Sequence, residues 1–210
     1  MEYTLDTDAA KAADNISARI EEKGSYLGKF TRAEAVTSKN GAEGIDFSFV
    51  TADGMTANYL TVWTYGRDGA EIHGYKLLMA IMTCLRVKTL QSRTGTTEKY
   101  NADIQRVEKV EAQLFPELMD KPIGLLLHME EYEKTKGGTA WKPAISMPYD
   151  KDGFTASEIL SQAKVPATLE KAVKALRDRP LKSAPASSAG QPEQQYGGSA
   201  FADLSEDIPF

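Results

Sequence analysis

The chain has 210 residues, of which 41% are hydrophobic, and a formal net charge of -5. It has enough apolar residues for one folded body with a core, and no run approaches the roughly 20 apolar residues that a membrane-spanning helix needs. The single cysteine, Cys84, excludes an internal disulfide, and no early apolar run is typical of a signal peptide, so we expect a soluble cytoplasmic protein with no membrane partner.

Residues 1–16 form an N-terminal arm, with a short strand predicted at residues 2–5. A β pattern then begins. The Asp53-Gly54 pair offers the two positive-φ residues that a tight hairpin turn requires. Together with a turn signal at residues 38–41, it separates three predicted strands: Tyr26–Val36, Ile45–Thr51 and Thr56–Tyr65.

After Tyr65 the apolar residues change to helical spacing. Asp68 can cap a helix, and Glu71 can reach back to its first turn. The apolar positions continue to about Val87 and comprise Ile72, Tyr75, Leu78, Met79, Met82 and Leu85. We expect this helix to pack on the sheet, with Cys84 on its apolar side.

Residues 88–121 form a long excursion. The stretch from Lys88 to Asn101 is polar and is interpreted as a loop. Residues 104–115 are interpreted as a charged helix or as further irregular chain, with Pro116 disturbing the end.

The β pattern resumes with a second predicted hairpin, Ile123–Tyr132 and Thr139–Met147, around Gly137-Gly138. Thr155 and Glu158 form a capping-box pair that opens a short helix. A second amphipathic helix is predicted over residues 168–179, so that residues 151–179 form a helical C-terminal part. From residue 180 the sequence is dominated by Pro, Ser, Ala, Gly and Gln. This composition predicts a disordered tether over residues 180–210.

Five strands with a helix between the third and the fourth are the element order of an OB-fold, a small five-stranded Greek-key barrel. We therefore expect a mainly β body with helices over residues 17–150. An antiparallel sandwich would show the same pattern.

The chain closes on an acidic segment with an apolar end. Such an end fits a partner pocket that has an apolar hole surrounded by Arg or Lys. A solubilising acidic tail is the alternative. The candidate partner-binding residues are Asp203, Glu206, Asp207, Ile208, Pro209 and Phe210.

This ending resembles the C-terminal tip of bacterial and phage single-stranded DNA-binding proteins, and residues 17–148 are similar to the phage members with an OB-fold. The segments that carry the resemblance are residues 24–33, 37–41, 125–132 and 207–210. It implies coating and protection of single-stranded DNA during phage DNA replication, recombination and repair, in the host cytoplasm. It also implies recruitment of replication and recombination proteins through the tip. The 88–121 excursion and the short tether differ from those of the relatives. The resemblance therefore does not decide whether the chain forms a homo-oligomer.

Strand alternation selects the residues expected to stack on bases. In the third strand Tyr59, Thr61, Trp63 and Tyr65 share one face, opposite Leu60 and Val62. Amphipathic aromatics in such a row suit base stacking. Packing in the core or at its rim is the alternative for Tyr59 and Trp63, and it is the expected role of Phe47 and Phe49.

Positive charge is local and modest, because residues 17–100 hold 11 Lys or Arg against 9 Asp or Glu. Any one of these cations can instead be a solvated surface charge. The phosphate-contact candidates are Lys29, Arg32, Lys39, Arg67, Arg86, Lys88, Arg93 and Lys99. Trp141, with Tyr132 and Lys142 beside it, is expected to extend the groove.

Catalytic motifs are absent from the sequence. It has no Walker-type phosphate loop, no Gly-x-Ser-x-Gly and no Cys or His cluster with metal spacing, and His73, Cys84 and His128 take structural roles by default. We expect no enzyme activity, no cofactor and no metal. The alternative to a DNA-binding protein is an adaptor whose OB-like body docks on host replication machinery without binding DNA.

Overall fold

A computed structural model describes residues 19–101, 106–134 and 137–181. The expected N-terminal arm, with its strand at residues 2–5, lies outside the described residues, and so does most of the tether with the whole tip. Within the described ranges, every helix is too short or too polar to cross a bilayer.

The described residues form a mainly β structure with seven strands and three α-helices. The strands are β1 (Gly24–Thr37), β2 (Glu43–Thr51), β3 (Thr56–Tyr65), β4 (Arg93–Asn101), β5 (Arg106–Leu114), β6 (Pro122–Glu133) and β7 (Thr139–Tyr149). The helices are α1 (His73–Cys84), α2 (Ala156–Leu160) and α3 (Thr168–Ala175), and a 3-10 turn spans Pro116–Leu118. The five strands predicted between residues 26 and 147 are confirmed at their positions.

The seven strands form one antiparallel sheet that is organised around β1. Its strand order is β3-β2-β1-β5-β4, and β6 pairs with β1 and β7. The first part of β1, up to Lys29, pairs with β6, and the part from Gly28 onward pairs with β2. At Gly28, which pairs with both strands, a Cβ atom would lie 2.1 Å from the carbonyl oxygen of Val50, so the close approach of β2 requires glycine here.

The core lies on the inner face of β1, β2 and β3. Phe30, Phe47 and Phe49 are almost completely buried, and the ring centroids of Phe30 and Phe47 are 4.4 Å apart. β6 adds further apolar side chains, and α1 covers the cluster through Leu78 and Ile81. The expected core roles of Phe47 and Phe49, and the packing of α1 on the sheet, are therefore confirmed.

The interpretation of residues 88–121 as a loop followed by a helix or irregular chain is wrong for residues 93–101 and 106–114, which form the paired strands of the β4–β5 hairpin. Residues 88–92 lie outside any helix or strand, as the loop interpretation expects. Of the hairpin residues whose burial is described, only Thr97, Ala112 and Leu114 are buried. The strands pair opposite charges across the ladder, as in Glu98 opposite Lys109. Such charge pairs are visible only when the partner strand is known.

Two predicted turn details are also wrong. Only Gly54 takes a positive φ, 87°, because the chain forms a three-residue loop in which Gly54 N donates to the Thr51 carbonyl. Asp68 does not cap α1; its carboxylate accepts from Ala70 N in the preceding turn, and the helix begins at His73.

The C-terminal helical part packs back onto β6. The predicted capping box of Thr155 and Glu158 is confirmed at α2. α3 ends at Ala175 rather than at residue 179, because Arg179 is extended and its N–H donates to the Met129 carbonyl at 2.8 Å.

Glu158 joins α2 to α3. Its side chain is buried and accepts hydrogen bonds from Thr155, from Ala167 N and from both the N–H and the hydroxyl of Thr168. Burial alone raises the pKa of Glu158, but the hydrogen bonds outweigh it and lower the pKa from 4.5 to about 2.

Replacing Glu158 by Gln therefore removes stability that depends on the ionised carboxylate. A pKa lowered on folding stabilises above the unfolded value, near 4.5, and the contribution is lost as the pH falls toward 2. We expect E158Q to lose about 3 kcal/mol of unfolding free energy at pH 7, measured by urea denaturation, and to have a flatter stability profile between pH 5 and pH 2. E170Q, at an exposed position of α3, is the control. Equal stabilities of E158Q and the wild type at pH 7 would contradict this account.

Candidate nucleic-acid interface

The sheet surface opposite the core, called here the outward face, carries side chains of β1, β2 and β3. On β3, Leu60 and Val62 are buried in the core, whereas Thr61 is exposed and Trp63 and Tyr65 are half-buried on the outward face. The predicted alternation is confirmed from Leu60 to Tyr65, whereas it breaks at Asn58 and Tyr59, which are both exposed.

Two β-bulges flank Ser48 at the centre of this face. In β1, Thr31 is inserted between the pairs Phe30–Phe49 and Arg32–Ser48. In β3, Asn58 and Tyr59 together stand opposite Ser48. A bulge bends its strand and redirects a side chain, so the two bulges place Arg32 and Tyr59 in one row across the three strands.

Tyr59 is the most accessible aromatic residue of β3, with 67% of its surface exposed. Its φ is 61°, in the left-handed region. For a bulky residue this conformation costs on the order of 1–3 kcal/mol and persists only where the surroundings impose it, which is frequent at functional sites. One side of the ring lies over the guanidinium of Arg32, with the Cζ atom 5.8 Å from the ring centroid.

Arg32 is held by two buried carboxylates. Its Nη2 forms an ion pair with Asp46, and its Nη1 lies 3.5 Å from Oε2 of Glu34. Thr61 donates to the other oxygen of Asp46 at 2.6 Å, and Lys99 Nζ lies 2.6 Å from Oε1 of Glu34. We call these five residues the Arg32 network.

Lys99 brings the β4–β5 hairpin to this network. Leu114 of β5 pairs with Glu34, and Arg93 of β4 pairs with Leu114, so Lys99 lies six residues farther along β4. A straight strand would carry Lys99 about 20 Å away. Since Lys99 nevertheless reaches the Glu34 side chain, the hairpin curls back toward the outward face.

Trp63 and Tyr65 are less available for stacking than Tyr59. Trp63 stands opposite Gly44, where an added Cβ atom would lie 3.0 Å from the indole ring. Tyr65 lies against Tyr75 of α1, with ring centroids 5.5 Å apart, and burial raises the pKa of Tyr65 with a smaller contribution from Tyr75.

Most of the predicted phosphate contacts already have acidic partners. Lys29 pairs with Asp120, Arg86 with Asp150, Arg93 with Glu117, and Arg32 and Lys99 with the network carboxylates. Lys39, Arg67 and Lys88 are exposed and have no ion pair within the part of the chain that the structure describes. Lys39 and Arg67 lie in turns that meet, since a Cβ at Gly41 would be 3.3 Å from the Arg67 side chain.

Trp141 lies apart from the Tyr59 row, in a cleft of about 510 Å³ between residues 19–21 and the β6–β7 hairpin. Its side chain is 47% exposed beside Met129, Pro143 and Tyr132. Ile20 N donates to the Thr56 carbonyl at 2.8 Å, so the cleft borders the start of β3.

Sequence reasoning missed the acidic residues and the bulges. Glu34 and Asp46 pair with Arg32 and Lys99, which brings together charges from β1, β2 and β4. No local pattern marks Ser48 as the point where two bulges meet. The six predicted tip residues, from Asp203 to Phe210, lie outside the described residues.

Comparisons with known proteins do not assign the chain. No model of a known protein family matches it, and a search of curated proteins found no similar sequence.

Replacing Lys99 by Met tests the attachment of the hairpin. Loss of the contact to Glu34 removes on the order of 1 kcal/mol, because Lys99 is half exposed. We expect about fivefold faster amide hydrogen exchange across β4 and β5, with β2 and β3 unchanged. K164M, which removes an exposed lysine outside the hairpin, is the control, and unchanged exchange in K99M would show that the ion pair does not hold the hairpin.

Proposed function

We propose that this chain is a single-stranded DNA-binding protein and that the outward face with its Tyr59 row is the DNA interface. The body is proposed to be an OB-type barrel. Three features support that reading: β1 is shared between β2 and β6, α1 follows β3, and β3 contacts β7. The β4–β5 hairpin is then an insertion between the helix and the fourth barrel strand.

The observation that carries the proposal is Tyr59. An aromatic ring that is two-thirds exposed, held at positive φ by a bulge and backed by a guanidinium, is costly to maintain and has no packing role on its open side. An unpaired nucleobase stacked on that side would gain about 1–3 kcal/mol. Trp63 extends the row along β3, and Trp141 offers a second stacking position in the neighbouring cleft.

In the cell, the proposed role is to coat and protect single strands during phage DNA replication, recombination and repair. The acidic tip is proposed to recruit replication and recombination proteins in the host cytoplasm. This part rests on the sequence resemblance of residues 207–210 and of the body.

A second candidate is an adaptor that docks on host replication machinery without holding DNA. It is favoured by the ion pairs that neutralise five of the eight predicted phosphate ligands. A surface balanced in this way attracts a polyanion weakly.

Titration of the full chain with poly-dT separates the two candidates. We expect quenching of the Trp63 and Trp141 fluorescence, and binding about tenfold weaker for Y59A than for the wild type, because one stacked base is lost. Y59F keeps the ring and is expected to bind like the wild type. A well-folded wild-type chain that binds no oligonucleotide in dilute buffer would leave only the adaptor.

The ion pairs also predict an unusually weak salt dependence. If only Lys39, Arg67 and Lys88 contact phosphates, the slope of log K against log salt concentration should be about -2 for single strands. Titrations between low and moderate NaCl concentration measure it directly. A slope of about -5 or steeper would mean that the paired cations leave their carboxylates and bind phosphates.

A further inference from the structure

We propose that Arg32 is a positioning residue, which holds the Tyr59 ring ready for a stacked base and does not itself bind phosphate. The inference rests on the proposed DNA interface and concerns the role of one residue within it.

A phosphate has little access to Arg32. The Arg32 side chain is only 12% exposed, and its Nε is buried without a hydrogen-bond partner among the described residues. The two Nη atoms face Asp46 and Glu34. A phosphate would have to displace buried carboxylates to reach this guanidinium, whereas Lys39 and Arg67 stand exposed on the surface.

The two bulges align Arg32 with Tyr59 across the sheet. Arg32 and Tyr59 belong to strands that do not pair with each other, and the bulges on either side of Ser48 bring them into one row. The small Ser48 side chain lies between them on β2. The guanidinium thus supports one side of the Tyr59 ring and leaves the other side open to a base.

Arg32 is itself anchored to the neighbouring strands. Asp46 is fixed in turn by the Thr61 hydroxyl, and Thr61 is two residues beyond Tyr59 on the same strand. The guanidinium fork is therefore attached to β2 and, through Asp46 and Thr61, to β3. A planar fork between two carboxylates has little freedom to move, which suits a support for a strained tyrosine.

A simpler role must be separated from positioning. Glu34 and Asp46 stand directly opposite each other on neighbouring strands, where like charges repel. Arg32 also neutralises that pair, and a residue with this role alone would affect folding but not the action of Tyr59 on DNA.

The test is a double-mutant cycle with the full chain and a dT oligonucleotide, using the wild type, R32M, Y59A and the double variant. If Arg32 acts through Tyr59, both single variants bind about tenfold more weakly, the double variant binds no more weakly than Y59A, and the salt slope of R32M equals that of the wild type. K39M is the matched control for a phosphate ligand. Its effect should add to that of Y59A and reduce the salt slope by about 0.7.

D46N provides an independent answer if R32M does not fold, because it keeps the shape of the side chain and removes only its charge. Positioning predicts weaker DNA binding, since Arg32 loses its main anchor. Tighter binding would indicate that Arg32, once released from Asp46, binds phosphate. Unchanged binding would indicate that Arg32 only neutralises the charges of Glu34 and Asp46. Either result overturns the inference, as does additivity in the cycle.

The wild-type titration separates this inference from the proposed function. If the wild-type chain binds no DNA, both the proposed function and the role of Arg32 are wrong. If it binds DNA and the cycle is additive, only the role of Arg32 is lost.

Discussion

The contact between a buried guanidinium and a strained tyrosine organises the outward face of the sheet. Arg32 is surrounded by carboxylates from β1 and β2, and its free side supports the ring of Tyr59 on β3. The position of each residue depends on its surroundings, because Tyr59 is held at positive φ and the Arg32 side chain is almost inaccessible to solvent. The two bulges at Ser48 are what allow the contact to form.

The same network determines the electrostatics of the face. Each network cation is matched by a carboxylate, so the centre of the face is neutral, and the exposed Lys39 and Arg67 lie in the turns that follow β1 and β3. A polyanion approaching this surface would find aromatic rings in the middle and positive charge at the border. This arrangement fits a chain with a net charge of -5 better than a continuous basic groove does.

The five confirmed strands were predictable because each follows a local rule. β2 and β3 alternate apolar and polar residues, and a glycine turn separates them, so both positions and faces could be assigned. The β4–β5 hairpin could not be predicted, since its strands are polar and are stabilised by charges paired across the ladder, as in Glu98 and Lys109. Alternation placed Tyr59 on the outward face, but its exposure depends on a bulge that only the pairing with β2 defines. Ion pairs such as Lys29 with Asp120 join residues 91 positions apart, beyond any local pattern.

Photo-crosslinking tests the central claim most directly, because it reports which residue touches a base. A single-stranded oligonucleotide carrying 5-iodouracil would be irradiated with the full chain, and the crosslinked peptide identified by mass spectrometry. The account predicts crosslinks at Tyr59, with further ones at Trp63 or Trp141. Efficient crosslinking confined to the opposite side of the molecule, with none in β3, would contradict it.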